Sequence, residues 1–189
     1  MKSKTIGVLA LQGDFLEHLQ TLRKIGVQTL EVRLPQDLEK VDSLIMPGGE
    51  STTIANLMDV FKLRKPLVER IKKGMPVWGT CAGMILLAKK LVQERPTPLG
   101  VMDITVNRNA FGRQIDSFET ELEIKGLAKP MHATFIRAPQ IVSSGAEVEV
   151  LSNLSDGTIV AAREKNMLVT SFHPELTKDT RLHEYFVGF

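Results

Sequence analysis

The chain has 189 residues, 43% hydrophobic and 24% charged, with a formal net charge of +2 and one cysteine. That balance suits a folded core and argues against disorder, and so small a charge gives no footing for nucleic acid or an acidic membrane surface. A single cysteine excludes an internal disulfide, so a reducing cytoplasm is the expected compartment, and no apolar run approaches the roughly 18 residues of a membrane span.

The length suits one domain over 1–189. Lys2 and Lys4 precede an apolar run, but the run is short, lacks a small-residue cleavage site and ends in Gln12-Gly13-Asp14, so it reads as a strand. Ile6 to Leu11 is continuously apolar, as in strands buried on both faces of a parallel sheet. Phe15, Leu16, Leu19, Leu22 and Ile25 recur at a helical period, and Gly26 ends that helix. Strands follow at Val27 to Val32 and Ser43 to Met46. A helix then starts near Thr52, with Ser51 or Thr52 as its cap. Pro66 to Lys73 is a second amphipathic helix, Pro76 to Gly79 a fourth strand, and Ala82 to Leu91 a helix.

After Leu91 the rhythm changes. Val101 to Val106, Ser117 to Ile124, Met131 to Ile136, Val148 to Ser152, Thr158 to Arg163 and Met167 to Ser171 read as strands with few helices between them, and Thr180 to Phe186 as a short terminal helix. Alternating strands and helices predict an α/β fold, with a mostly parallel central sheet, helices on both faces and an antiparallel section in the second half.

The cysteine sits in Gly79-Thr80-Cys81-Ala82-Gly83, between a strand and a helix. Glycines two positions away on each side reproduce the nucleophile-elbow pattern with sulfur in place of oxygen. The plainer alternative is a lone cysteine acting as a small buried hydrophobe. A nucleophilic thiol calls for a histidine. His18 and His183 fall within helical patterns, as solvent-side or helix-packing residues, and His132 opens a strand. His173 ends a strand in His173-Pro174-Glu175. Pro174 favours an extended residue before it, and in an extended segment His173 and Glu175 point the same way. The carboxylate can then orient the imidazole, as in a triad.

A triad also needs backbone donors for the developing oxyanion. Ala82, after the nucleophile, supplies one, and Gly49 of the Pro47-Gly48-Gly49 loop is the natural second. The same loop lacks the lysine and spacing of a nucleotide-phosphate site. The basic stretch from Lys62 to Lys73 reads as solvated helix surface. No His/Cys/Asp cluster has metal-ligand spacing, and this chemistry needs neither metal nor cofactor.

Pro47-Gly48-Gly49, Gly79 to Gly83 and His173-Pro174-Glu175 resemble the three signatures of class I glutamine amidotransferases. Leu9 to Phe15, Gly49-Glu50-Ser51-Thr52-Thr53, Arg108-Asn109-Ala110-Phe111-Gly112-Arg113-Gln114 and Phe135 to Pro139 narrow the likeness. They resemble the glutaminase subunits of pyridoxal 5′-phosphate synthase, across essentially the whole chain. The resemblance implies a three-layer, flavodoxin-like amidotransferase fold and hydrolysis of L-glutamine to glutamate and ammonia, with Cys81, His173 and Glu175 as the triad. It implies glutamine contacts from Gly49, Glu50, Ser51, Arg108, Ile136 and Arg137. It also implies a partner: a (β/α)8-barrel synthase subunit, expected as a dodecameric core carrying up to twelve glutaminases and consuming the ammonia in coenzyme synthesis.

Independently of family, a guanidinium suits the α-carboxylate of glutamine, and Glu50 is a candidate for its ammonium. Surface salt bridging is the alternative for Arg108 and Arg137, and Arg113 either joins the site or faces the partner. A cysteine peptidase or other amidase on this fold, and a catalytically silent regulatory module, are the competing functions.

Overall fold

Strand residues that are apolar on both sides need cover on both faces, and the computed structural model, which describes residues 4–108 and 117–189, shows how the chain provides it. The first half runs β1 (Thr5–Leu9), α1 (Phe15–Lys24), β2 (Gln28–Val32), α2 (Pro35–Leu38), β3 (Ser43–Met46), α3 (Ser51–Val60), α4 (Arg64–Lys72), β4 (Val77–Thr80) and α5 (Ala82–Leu87). The second half runs β5 (Ala88–Leu91), β6 (Met102–Asn107), β7 (Ser117–Leu122), β8 (Met131–Ile136), β9 (Gln140–Ser144), β10 (Glu149–Asn153), β11 (Ile159–Glu164) and β12 (Met167–Thr170), then a 3-10 turn (Pro174–Leu176) and α6 (Arg181–Val187).

The main sheet has the order β2-β1-β3-β4-β12-β11-β9-β6-β5, with β10 on β11, and β7 and β8 form a separate hairpin. From β2 to β12 every pairing is parallel; β12–β11, β11–β9 and β9–β6 are antiparallel. The predicted α/β fold with its antiparallel second half is therefore present.

Strand alternation divides the core in two. Leu44, Met46, Val77 and Val169 join α3, α4 and α5 on one face, while Ile45, Trp78 and Leu168 join α1, α6 and the β8 residues Ala133 and Phe135 on the other. The central strands β3, β4 and β12 are buried at every position, which is why they are apolar but for one small hydroxyl residue at an end of each.

Several expectations shift. The elbow helix ends at Leu87, and Ala88–Leu91, predicted as its continuation, is a strand paired with β6. A short apolar run such as Ile85 to Ala88 carries no period that separates helix from strand. Strand β9 and helix α2 were not predicted. The cap of α3 is Glu50 rather than Ser51 or Thr52: its carboxylate accepts the N–H of Thr52 at 3.2 Å and of Thr53 at 2.6 Å.

Candidate active site

Parallel strands β1, β3, β4 and β12 are neighbours, so the loops leaving their carboxyl ends meet at one edge of the sheet. Those loops carry Gln12 to Asp14, Gly48 to Glu50, Cys81 and His173. This adjacency brings together residues up to 161 positions apart in the chain (12 to 173).

Cys81 forms the tip of the elbow, with φ 47° and ψ −101°, a conformation costly for a residue with a side chain. The neighbouring glycines are required by space. A Cβ on Gly79 would lie 2.6 Å from the carbonyl oxygen of Gly83, and one on Gly83 would lie 2.1 Å from that of Met46. The Cys81 N–H donates to the Thr170 carbonyl at 2.8 Å, tying the elbow to β12. Ala82 follows as the first residue of α5 and is buried.

His173 and Glu175 are both buried. His173 Nδ1 lies 2.7 Å from Glu175 Oε1, which leaves Nε2 for the sulfur. The segment is not extended as expected. His173 precedes the 3-10 turn at φ −109° and ψ 83°, and Glu175 folds back to it from within that turn. The His173 N–H donates to the Thr134 carbonyl at 2.9 Å, so β8 also holds the ring's backbone. Burial alone would lower the pKa of the ring, but hydrogen bonds to Cys81 and Glu175, with their charges, outweigh it and push His173 up to about 10. Burial pushes the Glu175 carboxyl up, against the pull of His173.

Asp14 is a site residue that sequence reasoning missed, although its motif was noticed. Its Oδ2 lies 3.5 Å from His173 Nδ1. Burial raises its carboxyl, against the pull of His173. Although no metal spacing is legible in the sequence, Asp14, His173 and Glu175 bring donor atoms within 4.8 Å of one another. The 2.7 Å contact between Nδ1 and Glu175 Oε1 is that of a charge-assisted hydrogen bond, so the ring nitrogen is engaged by a carboxylate.

The glycine loop is held from β1. The Gly48 carbonyl accepts the Asp14 N–H at 3.1 Å, and Gln12 Oε1 accepts the Glu50 N–H at 2.7 Å. Gly49 has φ 150°, a conformation that side chains avoid.

A cavity of about 490 Å³ opens beside the sulfur. Its lining includes all six residues expected to contact glutamine: Gly49, Glu50, Ser51, Arg108, Ile136 and Arg137. Burial pushes the Glu50 carboxyl up, but the Thr53 and Thr52 N–H groups and Arg108 prevail and hold it below the usual carboxylate range. Arg108 Nη2 lies 3.3 Å from Glu50 Oε1, and among the described residues its buried Nε has no hydrogen-bond partner. The remainder of its motif, Asn109 to Gln114, including the candidate Arg113, lies outside the described residues.

His132 is elsewhere, on the surface with Glu119 and Glu121, each at 3.2 Å. His18 and His183 are not solvent-side: both are fully buried behind Glu175, with His18 Nε2 3.4 Å from Oε2.

The chain is similar to known glutamine amidotransferases. Residues 8–189 match the SNO glutamine amidotransferase family. A protein of Herpetosiphon aurantiacus named "Pyridoxal 5'-phosphate synthase subunit PdxT" is 58% identical over 188 residues, covering 97% of this chain and 99% of that relative. A protein of the same name from Dehalococcoides mccartyi is 57% identical over 185 residues, covering 96% and 95%. A solved structure titled "Crystal structure of glutamine amidotransferase" superposes with a TM-score of 0.91 at 48% identity, covering 97% of this chain and 99% of that one.

Proposed function

The chain belongs to the SNO glutamine amidotransferase family, and from that premise we propose that it hydrolyses L-glutamine to L-glutamate and ammonia at Cys81. The ammonia serves the synthase subunit of pyridoxal 5′-phosphate synthase, as the name shared by its relatives implies. The observation that carries the reading is the meeting of Cys81 and His173 at one wall of the cavity, beside Gly49, Glu50, Ser51, Arg108, Ile136 and Arg137, with Glu175 behind His173.

In this reading Cys81 Sγ attacks the side-chain amide carbon of glutamine. The proton shared by the sulfur and His173 Nε2 ends on the ring. The tetrahedral oxyanion rests on the N–H groups of Ala82 and Gly49. His173 passes its proton to the amide nitrogen, the C–N bond breaks and ammonia leaves. Water then attacks the thioester with the same ring as base, releasing glutamate and restoring the thiol. Glu175 keeps the imidazole in the Nδ1–H tautomer and balances its charge. Arg108, whose Nε has no hydrogen-bond partner among the described residues, turns its guanidinium to the α-carboxylate. Glu50, busy as a helix cap and still partly exposed, retains charge for the ammonium.

The partner in this proposal is a (β/α)8-barrel synthase, assembled as a dodecamer carrying up to twelve copies of this chain. The chain acts as one glutaminase domain in the cytoplasm. No helix among the described residues is long and apolar enough to cross a membrane.

A glutamine-mimicking diazoketone, applied with and without the synthase, tests the reading by mass spectrometry. One adduct on Cys81, lost in Cys81→Ala and suppressed by glutamine, is the expected result. Labelling in neither state means a silent module, and turnover of peptides but not glutamine means a peptidase.

A further inference from the structure

Behind Glu175, on the side away from His173, two histidines are packed without access to water. His18 comes from α1 and His183 from α6, and both are 0% exposed. His18 Nδ1 lies 3.0 Å from His183 Nε2. His18 Nε2 lies 3.2 Å from Thr80 Oγ1 and 3.4 Å from Glu175 Oε2. Among the described residues, Oε2 is buried and makes no hydrogen bond of ordinary geometry, and the same is true of His183 Nδ1.

These distances permit two tautomer patterns. If His18 carried its hydrogen on Nδ1, it would donate to His183 Nε2. His183 would then hold a hydrogen on the partnerless Nδ1, and the His18 Nε2 lone pair would face a carboxylate. That pattern strands a buried donor and opposes two lone pairs. In the other pattern both rings carry hydrogen on Nε2: His183 donates to His18 Nδ1, and His18 donates toward Glu175 Oε2 and Thr80. Only an acceptor is then left over, which is the less costly orphan.

We infer that His18 is a positioning residue for Glu175, holding the carboxylate's second oxygen with a neutral N–H, and that His183 fixes the tautomer in which His18 can do so. The inference rests on the glutaminase reading of the site. Neutrality matters to the device. A lysine or arginine here would compete with the imidazolium of His173 for the carboxylate, whereas a neutral donor orients it and leaves its charge for His173. Burial keeps both rings uncharged: His18 lies well below its ordinary pKa, through burial and its histidine neighbours, and burial takes His183 down to about 4. Besides His18, the titratable groups acting on Glu175 are His173 on its own segment and Asp14 before α1. His173 pulls the carboxyl down and Asp14 pushes it up.

The test uses the full chain with its synthase partner and follows L-glutamine hydrolysis against pH. His18→Phe is expected to lower kcat about threefold to tenfold, the scale of a modest polar contact of about 0.5–1.5 kcal/mol, with KM nearly unchanged. Without the N–H donor Glu175 protonates more readily, so the acidic limb of kcat moves up by about one pH unit. The amide nitrogen of His18→Gln reaches the place of Nε2 and is expected to restore most of the rate and the limb. A folded His18→Phe enzyme with unchanged kcat and limb overturns the inference. So does His18→Gln that is as slow as His18→Phe with the limb unmoved.

Nitrogen-15 ring spectra of the wild type decide the matter even if the variants do not fold. Two buried rings with hydrogen on Nε2, still neutral at about pH 5.5, support the inference. Hydrogen on His18 Nδ1, or charging near the ordinary histidine pKa, overturns it. Hydrolysis that survives in Cys81→Ala would instead count against the glutaminase reading, on which the ring spectra do not depend.

Discussion

Gly48→Ala places a single methyl group against the imidazole of the proposed triad. An ideal Cβ at Gly48 would lie 2.4 Å from His173 Cε1, 3.0 Å from its Nδ1 and 3.1 Å from Asp14 Oδ2. Real contacts of this kind begin at about 3.4 Å, so the ring edge and the loop must separate by roughly 1 Å. His173 has little room to yield, since it is buried and its N–H is held by the Thr134 carbonyl. The loop is equally constrained, because the Gly48 carbonyl accepts the Asp14 N–H. If the ring moves, the 2.7 Å bond to Glu175 lengthens past hydrogen-bonding range and Nε2 leaves the sulfur. Misplacement by about 1 Å costs on the order of a hundredfold in rate, and crowding of a packed site costs about 1–3 kcal/mol of stability. Steady-state glutaminase assays with the synthase present, paired with thermal unfolding, are expected to show kcat down about a hundredfold, a modest loss of stability and KM little changed. A Gly48→Ala enzyme within threefold of wild-type kcat would refute the claim that this glycine is needed for room beside the base.

Arg108→Ala is expected to raise KM for L-glutamine by about ten- to a hundredfold with kcat changed far less, as for loss of uniform binding, and Arg108→Lys should not restore it because lysine lacks the fork. A selective fall in kcat would instead place Arg108 at the reacting atoms. The buried histidines predict acid sensitivity. His183 is neutral in the folded chain down to about 4, whereas an unfolded histidine gains its proton near 6.5, so between these values the unfolded state binds more protons. The stability contributed by the neutral ring is therefore lost as pH falls through that window, by up to about 1.4 kcal/mol per pH unit. Asp14 and Glu175, raised by burial, act in the opposite sense, so the comparison is with His183→Phe, whose urea-unfolding stability should fall less steeply from about pH 6.5 to 4. Parallel pH curves for the two proteins would mean that His183 is not held neutral.

How much of this site is legible in the sequence depends on whether the cause is local. The elbow is local: two glycines flank one cysteine because α5 passes within a Cβ of β4 at Gly79 and of β3 at Gly83, and that spacing can be read without a structure. The His173–Glu175 pair was legible for a different reason from the one that operates. An extended segment was expected, but Pro174 opens a 3-10 turn that carries Glu175 back to the ring. Glu50 escaped notice as a cap because glutamate is not among the usual capping residues, and here its longer side chain reaches both N–H groups. His18 left a signal that went unused. It shares a helical face with Phe15 and Leu22, three and four positions away, and Leu22 is fully buried, whereas Leu16, counted with the apolar set, is half exposed. His183 stands in the same relation to buried Phe186.

What no local pattern reveals is which strands are neighbours. After β4 the chain leaves the parallel half of the sheet, builds the antiparallel section and the β7–β8 hairpin, and returns only at β12. Pairing of β12 with β4 sets Thr170 beside Thr80, and the Cys81 N–H then closes on the Thr170 carbonyl. A slip of two residues would keep every side chain on its proper face and so preserve the core pattern, yet it would carry His173 about 6.6 Å along the strand and out of reach of the sulfur. Hydrophobic patterning alone therefore does not specify the site. Specific polar contacts resist such a slip: Trp78 Nε1 donates to Thr170 Oγ1 at 3.2 Å, and the Ser171 N–H donates to the Val160 carbonyl at 2.8 Å. The triad depends on this register as directly as on its own three side chains.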